Sequence, residues 1–210
     1  PSGGLLRIDN QTGQKITLLA TIYRHFYVNG LLEIHNLTLS GGRGRTLFDT
    51  SSDRSGGAVF VNNGAFTMTN SIIENSQTPI QNGSAGGAIF IRGGNILIRD
   101  SEIVGNVSAA GGALSTNGGT ITIERSLIAD NVSRRNSSNT SGTGGGILLG
   151  SDSSLFATNT TIFRNTAETF DSTGASSGAI FVSSSSTIQL TNCTIVYNRA
   201  NSFPGVNIFG

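Results

Sequence analysis

Gly86-Gly87-Ala88-Ile89-Phe90, followed by Ile103-Val104-Gly105-Asn106, is the stretch on which the fold turns, because the chain repeats it. The opening string recurs as Gly56-Gly57-Ala58-Val59-Phe60, Gly111-Gly112-Ala113-Leu114-Ser115, Gly144-Gly145-Gly146-Ile147-Leu148 and Ser177-Gly178-Ala179-Ile180-Phe181. An Ile-x-x-Asn string follows each, ending at Asn75, Asn106, Asn131, Asn165 and Asn198. Successive openings lie 30, 25, 33 and 33 residues apart. A period of this length belongs to stacked repeat architectures, in which each unit buries its apolar face only against its neighbours.

Between opening and Asn, apolar and polar residues alternate: Leu32/Ile34, Phe66/Met68, Ile96/Ile98, Ile121/Ile123, Leu155/Ala157 and Ile188/Leu190. Alternation with period two marks a strand with one buried face. A residue suited to a turn comes next: Asn36, Asn70, Asp100, Arg125, Asn159 or Asn192. The expected fold is all-β, a single-stranded right-handed parallel β-helix of about six to seven coils with three short strands per coil. Residues 1–29 are expected to form an irregular leading coil and residues 30–210 the β-helix repeats. The chain is expected to be a fragment of a longer solenoid.

Stacked side-chain amides both donate and accept, so the five Asn residues are expected to form a structural ladder rather than a site. The paired glycines are expected to supply left-handed turns or close backbone approach. They lack the order and the Lys of phosphate-binding loops. The connections after the Asn differ in length, with Val107 to Ala110 minimal and Ser76 to Ala85, Arg134 to Thr143 and Thr166 to Ser176 long. Variable connections leaving one corner of a solenoid gather on one edge, where repeat proteins commonly bind.

The pairing of Gly-Gly-Ala-Ile/Leu/Val with hydrophobic-x-x-Asn resembles the repeats of chlamydial polymorphic outer membrane proteins. It is also similar to the wider set of cell-surface proteins built from pectin-lyase-like β-helix repeats, over about residues 30 to 210. The chlamydial motif favours Phe three residues before the Asn; all five positions here are Ile. The resemblance therefore favours the wider set, and it implies an extracellular or cell-surface β-helix, adhesive or structural, with no cofactor.

Composition narrows the function. Of 210 residues only 12% are charged and the net charge is +1, which gives no basic footprint for nucleic acid. No run of ~18 apolar residues offers a membrane span. The one cysteine, Cys193, has no partner within the chain and is expected to be a small buried apolar residue. The expected function is a non-catalytic module touching a cell-surface protein, a glycan or neighbouring copies. Arg134, Arg135, Asn136, Phe170 and Asp171 in the two longest connections are its candidate contacts, since Arg pairs with carboxylates and an exposed Phe stacks on a sugar.

The alternative is a polysaccharide lyase or glycoside hydrolase of the same fold. Glycoside hydrolysis needs two carboxylates about 5–9.5 Å apart, and Glu74, Glu102, Glu124 and Asp130 fall on successive coils. The Asn-Thr-Asp, Asp-Asp, Gly-His-Gly and Arg-Ile-Lys strings of polygalacturonase-like enzymes are missing, and no catalytic residue or metal ligand is assigned. His25 and His35 have no evident partner. An ice-binding face is rejected because the outward column reads Glu33, Thr67, Leu97, Thr122, Phe156, Gln189. Among the Asn-x-Ser/Thr sequons, Asn82, Asn136 and Asn139 lie in connections and would carry glycans in a eukaryotic secretory host. Asn106 and Asn131 also head sequons, but ladder burial should leave them bare.

Overall fold

The structure is a computed structural model that describes residues 4–44, 54–80, 83–134, 142–168, 177–200 and 205–208. Among them three parallel sheets of twelve, seven and four strands wrap one axis. Each turn of the chain pairs with the next in register, so that Leu32, Phe66, Ile96, Ile121, Leu155 and Ile188 form one column, and Ile34, Met68, Ile98, Ile123, Ala157 and Leu190 another. The second sheet adds Leu18, Leu39, Ile73, Ile103, Ile128, Ile162 and Ile195. From Leu32 to Leu155 these side chains are almost wholly buried, and each contributes about 1.5–3 kcal/mol by leaving water.

The coil has three faces, but they divide the sequence differently from the expectation. The opening strand and the alternating strand lie in the same sheet, and in Val59–Thr69 and Ile89–Arg99 they are one continuous strand. A short strand after the Asn supplies the third face: Val107–Ser108, Val132–Arg134, Thr166–Glu168 and Arg199–Ala200. Two or three residues are too few for alternation to register in a sequence. In the leading segment, Leu5–Asp9, Ile16–Leu19 and Phe26–Val28 pair in parallel with Leu31–His35, Leu37–Ser40 and Val59–Val61.

Each opening glycine pair divides its labour. Gly86 adopts φ 67°, a conformation costly for residues with a Cβ, while a Cβ on Gly87 would run into the carbonyl oxygen of Gly112 in the next coil. The corner residues Asn36, Asn70, Asp100, Arg125, Asn159 and Asn192 all have φ between 46° and 59°.

A second hydrogen-bonded column runs directly behind those corners. Ser71, Ser101 and Ser126 each donate their hydroxyl to the carbonyl two residues back, at 2.8, 2.6 and 2.7 Å. Each also accepts the backbone N–H of the preceding coil, from Leu37, Ser71 and Ser101 respectively. Thr160 continues the column, and Cys193 ends it with its thiol 3.4 Å from the carbonyls of Thr191 and Ala157. Cys193 stands where the other coils carry a hydroxyl; it packs against the apolar core as expected but is half-buried rather than buried.

Candidate functional site

The second corner of the coil places side chains on the outside by force of backbone geometry. Asn75, Gly105, Asp130, Arg164 and Tyr197 occupy equivalent positions, all with φ between 52° and 65°. Left-handed backbone costs an ordinary L-residue about 1–2 kcal/mol, and Gly or Asn is the inexpensive choice. Arg164 and Tyr197 depart from that choice, so their side chains are held in solvent at a cost the fold does not require.

The residue after each of these positions turns inward. Asn106, Asn131, Asn165 and Asn198 form a continuous amide ladder: the Nδ2 of Asn106, Asn131 and Asn165 donates to the Oδ1 of the next at 3.0, 2.9 and 3.0 Å. The same oxygens accept the backbone N–H groups of Asn106, Asn131 and Asn165. Asn75 does not belong to this column. Ile73, not Ile72, pairs with Ile103, so the ladder position in that coil is Ser76, whose N–H donates to Asn106 Oδ1. The adjacent Ile72-Ile73 pair is what shifts the sequence motif by one residue.

Outside the ladder, charges bridge successive coils. Arg164 clamps Asp130 with Nε and Nη2, both at 2.8 Å, and its guanidinium lies 4.5 Å from the Phe163 ring centroid. Phe163 in turn meets Tyr197 edge-on, with centroids 5.7 Å apart. The Asp130 carboxylate raises the pKa of Arg164 above its ordinary value, and at the first corner Arg125 lowers that of Asp100 through a bidentate pair at 2.7 and 2.9 Å.

Around this corner lies a cleft of about 490 Å³, lined by Asp130, Arg164, Thr166, Tyr197, Asn198 and Arg199. Tyr197 is 76% exposed. The cleft opens beside the outer face of the four-stranded sheet, where Thr166 pairs with Arg199 and Arg134 pairs with Glu168.

Of the contact residues expected from sequence, Arg134 lies at the exposed end of its strand, opposite Glu168. Arg135, Asn136, Phe170 and Asp171 lie outside the described residues, as do the sequon residues Asn82 and Asn139. The two longest connections leave from register partners, Arg134 and Glu168, and so start from one edge. Arg164, Tyr197 and Arg199 were missed by sequence reasoning. For Arg164 and Tyr197 the available signal was a bulky or charged residue just before a ladder Asn, where a turn former is expected.

The four carboxylates do not stack on one another. Glu74 stands opposite Val104, and Glu102 stands between Ile72 and Leu127. Arg99 holds Glu124 at 2.8 Å, and Arg164 holds Asp130. The His25 Nε2 lies 2.8 Å from the Leu18 carbonyl, and burial lowers the pKa of this ring, only partly offset by that contact. No group of three or more metal-ligating side chains occurs among the described residues. No helix among them is long and apolar enough to cross a membrane.

The family model described as "Right handed beta helix region" matches residues 29–209. The chain belongs to that family. The match fixes the sense of the right-handed β-helix and spans every coil from the first alternating strand onward. Neither curated proteins nor solved structures give a match to this right-handed β-helix.

Proposed function

We propose that this chain is a non-catalytic extracellular or cell-surface module that uses its β-helix as a rigid support. It makes protein or glycan contacts through the edge of long connections and the corner beside it. The observation that carries this reading is the pairing of Arg134 with Glu168, which starts two long connections side by side from the four-stranded sheet. Loops on a rigid scaffold are the usual location of binding residues. The neighbouring corner adds Arg164 and Tyr197, held outward at positions where the backbone favours Gly or Asn.

A non-catalytic role is further supported by the carboxylates, since two of the four are held by guanidinium groups and none faces another across a strand pair. The likeness of the repeat motifs to those of polymorphic outer membrane proteins and related surface proteins supports the location. Any further partner would be a neighbouring copy or coil at the ends of the stack. A glycan array on the folded chain, beside the Arg134→Ala/Arg135→Ala double variant, tests the reading. Selective binding lost in the variant is the expected result; equal binding by both proteins would remove the loop edge from the site.

A further inference from the structure

The outer face of the seven-stranded sheet is a surface that the loop edge and the corner cleft do not use. Inward-facing Ile73, Ile103 and Ile128 alternate with side chains that point outward, and in successive coils these form two columns. One column reads Ile72, Glu102, Leu127; the other reads Glu74, Val104, Ala129 and is closed by Phe163 in the coil beyond. Each of these strands has a paired neighbour on both sides, so the exposure belongs to the sheet face and not to an end of the stack. Glu102 is exposed, and Ile72, Glu74, Val104, Leu127 and Phe163 are half-buried.

In the square formed by Ile72, Glu74, Glu102 and Val104, the carboxylates occupy one diagonal and the aliphatic groups the other. Coils lie about 4.8 Å apart and alternate residues about 6.6 Å apart, which puts the two Glu Cα atoms about 8 Å from each other. Neither carboxylate has a hydrogen bond or ion pair among the described residues. The charges at the rims are matched instead, Asp100 by Arg125 and Asp130 by Arg164. The face therefore carries two uncompensated negative charges on an aliphatic ground. From Ile72 to Phe163 it measures about 20 Å along the rod and about 10 Å across, roughly 200 Å². A stable interface between folded proteins takes roughly 800 Å² from each partner, so this patch is too small to hold a second copy of the chain. It matches one extended segment: six residues span about 20 Å, and side chains on one side of it recur about every 6.6 Å. Laid along the rod, such a segment brings two basic side chains, two residues apart, to Glu74 and Glu102. The next side chain on that side then falls beside Leu127 and Phe163.

We propose that this face docks an extended segment of another protein with the pattern basic-x-basic-x-aliphatic. Glu74 and Glu102 receive the basic side chains, and Ile72, Val104 and Leu127 pack against their stems and the aliphatic residue. The rod thereby gains a second contact surface, on a different sheet from the loop edge. A polyamine presents the same charge without the aliphatic side chain, and is an outcome of the test.

The test is fluorescence anisotropy of a labelled Arg-Ser-Arg-Ser-Leu-Ser peptide titrated with the full chain. Glu-Ser-Glu-Ser-Leu-Ser and Arg-Ser-Arg-Ser-Ser-Ser serve as comparison peptides and spermine as a competitor. Four proteins are compared: wild type, the Glu74→Gln/Glu102→Gln double variant, Val104→Thr and Arg134→Ala. Gln and Thr keep the shapes of the side chains they replace, and melting temperatures equal to that of wild type show that lost binding is not unfolding. The expected result is binding of the first peptide by wild type, weakening as salt is raised. Tenfold or greater weakening is expected in the double variant and for the Glu peptide. A smaller loss is expected in Val104→Thr and for the peptide without Leu, and no change in Arg134→Ala. No binding by wild type, or equal binding by the double variant, would overturn the proposal. So would equal affinity for the peptide without Leu together with full displacement by spermine, which would mark a site for charge alone. Binding lost only in Arg134→Ala would move the contact to the loop edge and overturn it as well.

Discussion

The two halves of this rod hold successive coils together by different means. From Asn106 to Asn198 a continuous chain of side-chain amides runs inside the second corner, with Asn106, Asn131 and Asn165 each bonded to the coil on either side. In the coils before it, the same position holds Ser76, and the amide chain stops. There the outer face of the opening strand carries aromatic rings instead. Tyr27 stacks on Phe60 at 4.9 Å with nearly parallel planes, Phe60 meets Phe90 at 5.2 Å, and Arg24 and Arg92 lie 5.0 and 5.3 Å from the Phe60 centroid. Both devices bury their central groups, but the amide chain is directional and the ring stack broad and less demanding of register. Parallel stacking at sheet spacing makes both possible, because identical positions in successive coils lie about 4.8 Å apart. The amide ladder therefore accompanies this fold without being required by it.

Breaking each device in turn gives a direct test. Phe60→Ala empties a fully buried site in the ring stack and should cost about 3–5 kcal/mol in denaturant unfolding. Hydrogen exchange should place the loss in the coils around Val59–Thr69 and leave Asn165 and its neighbours protected. Asn131→Ala removes the acceptor of the Asn106 backbone N–H and amide, along with donors to the Ile103 and Ala129 carbonyls. Buried groups left unpaired cost about 1–3 kcal/mol each, so a loss of roughly 3 kcal/mol is expected, confined to the other half. Loss of protection along the whole rod in both variants would mean that the halves are not separable.

Ser76→Ala sharpens the contrast. The Ser76 hydroxyl makes one bond, to the Glu74 carbonyl, and its N–H keeps the Asn106 oxygen, so the cost should stay near 1 kcal/mol. A cost equal to that of Asn131→Ala would place Ser76 within the ladder energetically. The smallest effect concerns His25 in the leading coil. Burial lowers its pKa, so the unfolded chain takes up a proton more readily than the folded one. Stability is then complete above about pH 6.5 and declines as the pH falls below it towards the folded value. Melting temperatures across pH 7.5 to 5 should show this decline in wild type and a flatter profile in His25→Gln.

Much of the fold is legible in the sequence because burial and alternation are the same fact seen twice. The inward columns follow from apolar residues at every second position, and the outward column Glu33, Thr67, Leu97, Thr122, Phe156, Gln189 pairs in that register. The hydroxyl column Ser71, Ser101, Ser126, Thr160 was present too, always just after a corner residue. It stayed hidden because Ser and Thr are abundant in every connection. Asn75 misled for a local reason, two adjacent isoleucines that both fit the motif. The candidate cleft was illegible for a geometric one. Tyr197 and Arg164 look like interior motif positions until the backbone turns left-handed and points them out.

In the serine and asparagine columns, partners in successive coils lie 25 to 34 positions apart. Closing a chain segment costs entropy in proportion to the logarithm of its length, so the longest of these turns is disfavoured against the shortest by only about 0.3 kcal/mol. No coil is therefore first in line to form on grounds of reach. The order of folding falls to whichever adjacent pair buries the most apolar surface at its first encounter, and from that pair the structure extends in both directions, one turn at a time.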